Sequence, residues 1–386
     1  MAKTWTVDLD PGCIFGEGSR FLTGKKLKEL GATTVMLITD ATMKQLGYTD
    51  EMEQIIREEG LTVVPYQAET REPTSTMCNV ARDFAVEHKI DGIVALGGGA
   101  VMDIAKAAGK LLANGGMLEE YLGYEKANIP YKRWSPIICL STTAGTGAEI
   151  NNGISIFNDA IQKKGNTKHP ATLAITDPYY TYGSPKKLTA CVGVDALAHA
   201  AETLCNSEYI QNWMSDCLAK EAVSIIFKAL PGAYNDDHEC RDKMAFAAEL
   251  AGWSIKLRKT TFGHALGHRF ANRYHWAHGI CCGICLPAVV RYHAKMDAGV
   301  TMTYAHCIGI DCREKSYDQI AAEVVKAFDD LLHAVDMPSM KSLGVEPAFI
   351  DEICEDIRSD PKWTLVPHPP VFEEVAVAMH EAYEQY

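Results

Sequence analysis

Between residues 33 and 143, short apolar runs alternate with longer stretches whose apolar residues recur three and four apart, and this alternation restricts the possible folds most. The runs are TTVMLITD (33–40), LTVVPYQ (61–67), DGIVALGGGA (91–100) and SPIICLSTT (135–143), with TDEMEQIIREEG and STMCNVARDFAVEHKI among the stretches between them. Strand followed by helix, repeated, folds into a parallel sheet covered by helices. After about residue 186 the strand-like runs stop, and KKLTACVGVDALAHAAETL, WMSDCLAKEAVSIIFKALPGAYN, RDKMAFAAELAGWSIKL and QIAAEVVKAFDDLLHAV all carry helical periodicity. The sequence predicts an α/β domain over 1–185 and an all-α domain over 186–386. The proline-rich PKWTLVPHPP (361–370) is expected as a loop before a last helix.

The charge balance removes some partners. A net charge of −13 argues against nucleic acid and against an anionic membrane surface, since both require clustered cations. The longest apolar stretch, ICCGICLPAVV, falls far short of the roughly 20 residues that span a bilayer. The N-terminal MAKTWTVDLDPG lacks the apolar core of a signal peptide, so a cytoplasmic protein is expected. Thirteen cysteines scattered from Cys13 to Cys354 do not form a disulfide framework in such a chain, and most are expected as buried thiols.

Two turns draw attention. ALGGGAVMDIAK (95–106) places Gly97, Gly98 and Gly99 between a strand and a helix that carries Asp103. Glycines admit a phosphate close to the backbone, and the helix start offers free N–H groups and the positive end of its dipole. The dinucleotide fingerprint G-x-G-x-x-G with a later acid is not matched, because the strand-ending acid, Asp40, precedes the glycines. A second turn, STTAGTGAE (141–149), is dense in glycine and hydroxyls, with Thr142, Thr143 and Thr146. Two such turns at the ends of parallel strands point to a dinucleotide.

Residues 261–287, TFGHALGHRFANRYHWAHGICCGICLP, hold His264, His268, His275 and His278 together with Cys281, Cys282 and Cys285. The C-x-x-C pair Cys282 and Cys285 suggests zinc or a redox dithiol, whereas the histidines suggest a catalytic cation needing a further ligand. GVDALAHAAE (193–202) offers one, since Asp195 and His199 are four apart and share a helix face. His264 and His268 have the same spacing. One carboxylate and three imidazoles would suit a divalent first-row cation with room for a substrate oxygen.

GGGAVMDIAK, STTAGTGAE, GVDALAHAAE and HALGH…HG occur in an order and at separations that resemble the iron-dependent, group III, alcohol dehydrogenase family over nearly the whole chain. The resemblance implies an N-terminal domain like that of dehydroquinate synthase. It also implies a metal held by Asp195, His199, His264 and His278, with iron(II) expected and zinc or manganese acceptable. His268 is then not a ligand but a catalytic residue that relays a proton. NAD(H) is implied, with pyrophosphate on Gly97–Gly99, contacts from Asp103, Thr142, Thr143, Thr146 and Lys164, and Asp40 near the adenine ribose. A carboxylate there accepts from the 2′-hydroxyl and repels a 2′-phosphate. His275 is expected to be peripheral, and the three cysteines to pack beneath the metal. The implied activity is hydride transfer between nicotinamide and a short-chain primary alcohol or aldehyde, by a homodimer or larger homo-oligomer.

The sequence departs from the family beside the third ligand. AGWSIKLRKTTFGH crowds Lys256, Arg258 and Lys259 ahead of His264, and Arg269 stands where the family commonly has proline. Arg258, Lys259 and Arg269, with Asn151, are therefore candidate contacts for an anionic substrate such as sulfoacetaldehyde, a phosphonate or a carboxylate. The alternative is a general short-chain alcohol dehydrogenase with these cations on a solvated face. Two more distant readings are a lyase of the dehydroquinate-synthase kind and a metal or redox sensor built on Cys282.

Overall fold

A computed structural model describes residues 7, 9–69, 72–123, 131–134, 136–205, 212–360 and 371–386; the stretch 361–370, expected as a loop, lies outside them. The described residues form two compact units, one of 9–143 and 147–182, the other of 144–146 and 183–386.

The first unit is built on the strands β1 (Gly12–Phe15), β2 (Thr34–Asp40), β3 (Thr62–Ala68), β4 (Gly92–Gly97), β5 (Ile137–Ser141), β6 (Gly153–Asn158), β7 (Lys163–Lys168) and β8 (Leu173–Thr176). Its helices are α1 (Thr23–Glu29), α2 (Ala41–Gln45), α3 (Tyr48–Glu58), α4 (Ser75–Glu87) and α5 (Gly99–Asn114). Six strands make a parallel sheet in the order β1-β8-β5-β4-β2-β3. Parallel strands with helices on both faces are buried on both sides, which is why VMLI, IVAL and IICL read as unbroken apolar runs. Successive residues face opposite layers. Met36, Ile38, Ile93 and Ala95 pack with Met77, Ala81 and Met102 of α4 and α5, whereas Val35, Leu37, Val94 and Leu96 pack with Leu27, Met52 and Ile56 of α1 and α3.

The four strands read from sequence are β2, β3, β4 and β5. The edge strands β1 and β8, and the antiparallel hairpin β6–β7, were not anticipated. β1 and β8 have only four residues each, too few to show a period, and β7, KKGNTK, carries no apolar face. The hairpin is fastened from α5. The Lys106 ammonium, fully buried, donates to the carbonyls of Ala148 (2.9 Å), Asn151 (3.4 Å) and Gly153 (2.7 Å) and lies 3.2 Å from Asp103.

The second unit carries helices and no strand among its described residues: α6 (Lys186–Leu204), α7 (Trp213–Tyr234), α8 (His238–Leu257), α9 (Phe262–Tyr274), α10 (His278–Gly283), α11 (Leu286–Met296), α12 (Ala298–Ile308), α13 (Tyr317–Ala334), α14 (Pro347–Asp356) and α15 (Phe372–Gln385). α6 is buried on all sides from Val194 to Thr203, as a central helix should be. A helix so enclosed cannot leave polar groups idle, because an unpaired buried polar atom costs about 1–3 kcal/mol. Yet α6 carries Asp195, His199 and Glu202 in that buried stretch. No described helix is long and apolar enough to cross a membrane.

Candidate metal centre and cofactor turn

Within the helical unit, α6, α9 and α10 bring Asp195, His264, His278 and Cys282 together, with one ligand atom of each lying within 4.8 Å of the others. His264 Nε2 is 3.9 Å and His278 Nε2 3.8 Å from Asp195 Oδ1. Asp195, His199 and His264 are all buried, and Asp195 Oδ1, His199 Nδ1 and His264 Nε2 have no hydrogen-bond partner. Buried donor atoms without partners, brought together as those of Asp195 and His264 are, suit a divalent cation, so these two residues with His278 fit the expected metal.

His199 lies against the cluster rather than in it. Its ring stacks on His264 with centroids 4.6 Å apart and stands 6.5 Å from His278. Burial lowers its pKa to about 4 despite the attraction of Asp195, keeping the imidazole neutral and able to ligate. Burial alone would push the Asp195 carboxyl up, but the surrounding imidazoles of His199, His278 and His264 outweigh it and hold the group below the usual carboxylate value. His268, one turn beyond His264, is half-buried, with its ring 5.8 Å from that of His278. His275 is exposed and ends α9 in a left-handed conformation (φ 55°).

Sequence reasoning missed Glu202. Its carboxylate is 1% exposed and accepts from Thr261 N (2.7 Å), Thr261 Oγ1 (2.9 Å) and His264 N (3.2 Å), while His264 Nδ1 lies 2.5 Å from Oε1. With the proton on Nδ1, His264 donates to Glu202 and turns a bare Nε2 toward Asp195, the carboxylate–histidine arrangement that fixes a metal-binding imidazole. Burial raises the Glu202 carboxyl, but electrostatic attraction to the His264 ring and hydrogen bonds from His264 and Thr261 carry it down to about 2. The signal was present in GVDALAHAAE, where Glu202 follows Asp195 by seven residues and His199 by three, on one helix face.

The cysteines divide. Cys281 Sγ donates to Trp276 O (3.6 Å) and Cys285 is fully buried, away from the ligand cluster. Cys282 is placed differently from the other two, with its Sγ lying near the ligand atoms of Asp195, His264 and His278.

Two of the expected substrate cations have partners within the chain. Arg258 is 5% exposed, and its guanidinium donates to Thr203 O (2.9 Å) and Asp216 Oδ1 (2.5 Å). Arg269 bonds to Asp356 (2.7 Å) and Asp360 (2.6 Å). Both charges are neutralised by carboxylates of this chain, as they must be when guanidinium is taken out of water. Lys259 is exposed.

In the α/β unit, Gly97 ends β4, Gly98 is the N-cap of α5 and Gly99 its first residue, and no side chain caps the helix. A Cβ on Gly97 would come within 2.7 Å of Val101, so this turn disfavours any larger residue, and a helix start without a side-chain cap can offer N–H groups to an anion. Gly97 pairs with Ser141 across β4 and β5, and Thr142 N donates to Gly97 O (3.1 Å). Ile38 pairs with Ala95, so Asp40 and Gly97 come two residues later on neighbouring strands. Asp40, Gly97 and Ser141 therefore stand at the carboxyl ends of three adjacent strands, where open α/β sheets bind their ligands. The Asp40 carboxylate is held by Thr42 N (2.8 Å) and Met43 N (3.0 Å) at the start of α2. Thr143 is half-buried near Gly98, and Thr146 sits among 144–146 in the helical unit.

The remaining expected contacts have structural partners. Asp103 accepts from Ser155 N (2.9 Å), Lys164 pairs with Glu72 (2.6 Å), and Asn151 donates to Gly147 O (2.9 Å) while accepting from Gly153 N (2.8 Å).

Known proteins resemble the chain over nearly its whole length. The chain is 31% identical over 362 residues to an NAD-dependent methanol dehydrogenase of Bacillus methanolicus, covering 91% of this chain and 93% of that protein. It is 29% identical over 367 residues to a choline dehydrogenase of Bacillus subtilis, covering 94% and 91%. The crystal structure of a 1,3-propanediol oxidoreductase superposes with a TM-score of 0.92 at 25% identity, over 98% of this chain and all of that one. Residues 11–178 match the iron-containing alcohol dehydrogenase family, and 189–383 match the C-terminal region of the Fe-containing alcohol dehydrogenases. The chain belongs to the iron-containing alcohol dehydrogenase family.

Proposed function

We propose that the protein is a metal-dependent, NAD(H)-linked dehydrogenase that interconverts a short-chain primary alcohol and its aldehyde. The observation that carries this reading is the set of buried donor atoms without partners, Asp195 Oδ1 and His264 Nε2, facing His278 on a third helix. Asp195, His264 and His278, with His199 beside them, would hold the cation: iron(II), or zinc or manganese. When bound, such a cation supplies a Lewis acid for a carbonyl or alkoxide oxygen, and a nicotinamide supplies the hydride acceptor or donor.

The chain's own residues do the rest. Glu202 fixes the tautomer and orientation of His264. In this reading His268 accepts or returns the alcohol proton as general base or acid. The uncapped start of α5 receives a diphosphate, and Asp40, held in position by its own cap, accepts from a ribose hydroxyl and disfavours a 2′-phosphate. This selects NAD over NADP.

A neutral substrate is favoured because Arg258 and Arg269 are already bound to Asp216, Asp356 and Asp360. The test is NADH oxidation by the metal-loaded protein with propionaldehyde and with sulfoacetaldehyde. Propionaldehyde is expected to equal or exceed the anionic aldehyde. A hundredfold preference for sulfoacetaldehyde in kcat/KM, about 2.7 kcal/mol, would overturn the neutral assignment. The same proposal includes a reducing, cytoplasmic compartment, supported by thirteen free thiols. It includes a homo-oligomer, which light scattering of the holoprotein checks.

A further inference from the structure

We propose that Cys282 Sγ is itself a ligand of the cation, alongside Asp195, His264 and His278. The inference rests on the metal-dependent reading above and adds a soft donor to it. Cys282 follows His278 by four residues on α10, so the two side chains leave the same helix face. Its Sγ lies 3.6 Å from His278 Nε2 and is 2% exposed. At tetrahedral angles about a metal with bonds of about 2.1 Å to nitrogen or oxygen and about 2.3 Å to sulfur, a nitrogen–sulfur pair stands about 3.6 Å apart and a nitrogen–oxygen pair about 3.4 Å apart. The 3.6 Å between Cys282 Sγ and His278 Nε2 matches the first edge, and the 3.8 and 3.9 Å from Asp195 Oδ1 to the two imidazoles lie within about 0.5 Å of the second.

Space for the sulfur is provided from α9. Gly267 lies between His264 and His268, and a Cβ on it would come within 3.0 Å of Cys282 Sγ. The helix that supplies one imidazole thus leaves a gap that the thiol fills. The second, independent sign of a ligand is the pair of buried atoms in the same cluster that have no partner, Asp195 Oδ1 and His264 Nε2. On binding, the sulfur–metal bond forms as the thiol proton leaves to solvent. A thiolate makes the site softer, favouring zinc, cobalt and iron over manganese and magnesium.

X-ray absorption at the zinc edge of the oxygen-free, zinc-loaded wild-type holoprotein decides the matter without a variant. The expected spectrum holds one sulfur at about 2.3 Å beside nitrogen or oxygen at about 2.0–2.1 Å. The cobalt(II) form should show a sulfur-to-cobalt charge-transfer band in the near ultraviolet. Cys282→Ser should abolish that band and weaken zinc at least tenfold in a chelator competition, while Cys281→Ser and Cys285→Ser keep both properties. Bound zinc with nitrogen and oxygen neighbours alone overturns the proposal and leaves the dehydrogenase reading standing. A wild-type protein that takes up no zinc, cobalt or iron overturns both.

Discussion

Glu202→Gln removes one charge from the centre while keeping its volume, and the consequence can be worked through atom by atom. The carboxylate accepts four hydrogen bonds, two from Thr261 and two from His264. An amide offers one oxygen and one NH2. If the oxygen faces Thr261, the NH2 opposes the Nδ1 proton of His264, and that proton must move to Nε2, which is the nitrogen turned toward Asp195. If the oxygen faces His264, the NH2 opposes the backbone and hydroxyl donors of Thr261 and leaves them unsatisfied. Either orientation penalises the metal-ready imidazole. Losing such a partner costs about 10–100-fold in metal affinity, or about 1.4–2.7 kcal/mol. The assay is zinc competition against a chromogenic chelator for wild-type and variant apoprotein at one pH. Thermal unfolding of each apoprotein keeps a lost fold from being read as lost affinity. Zinc affinity within twofold of wild type in a folded variant would refute the assignment of Glu202 as the residue that positions His264.

Asp216→Ala should leave the Arg258 guanidinium buried without its carboxylate and cost about 2–3 kcal/mol in urea unfolding, discounted from a fully buried pair because Asp216 is 28% exposed. The KM for propionaldehyde should stay unchanged; a selective tenfold rise in KM for sulfoacetaldehyde in a stable variant would return Arg258 to the substrate. His169 gives a pH signature. Burial lowers its pKa to about 3, and its neutral ring accepts from Trp134 N (3.1 Å) while the other nitrogen bonds Pro170 O (3.0 Å). The unfolded chain then binds a proton near pH 6.5 that the folded chain refuses, so stability is full above that pH and falls as pH drops toward about 3. The slope is at most about 1.4 kcal/mol per pH unit, and His169→Gln should flatten it by that one proton. An unchanged slope in urea titrations between pH 6.5 and 4 would refute this account of His169.

The central sheet was legible because its strands are buried on both faces and so carry unbroken apolar runs, and α6 was legible because its two ligand candidates share a helical spacing. The hairpin β6–β7 was not, since its polar β7 gains its order from partners far along the chain, Lys106 and Lys110 among them. Charge was the least legible property. Arg258 and Arg269 read as a basic cluster because their carboxylates lie 42, 87 and 91 residues away. Cys282 was read as packing for a related reason. Sequence shows a thiol one turn past a histidine, but only the approach of α9, with Gly267 at the contact, shows which way the sulfur faces.

The buried Lys106 ties the stretch leading into the hairpin to helix α5. Its helix begins at the first glycine turn, and its ammonium grips three carbonyls at the far side of the second. Residues 148–153 are therefore held to α5 by one buried ammonium rather than through a chain of soft side chains. Substituting methionine would leave three carbonyls to find water, and the hairpin would lose its tether to α5.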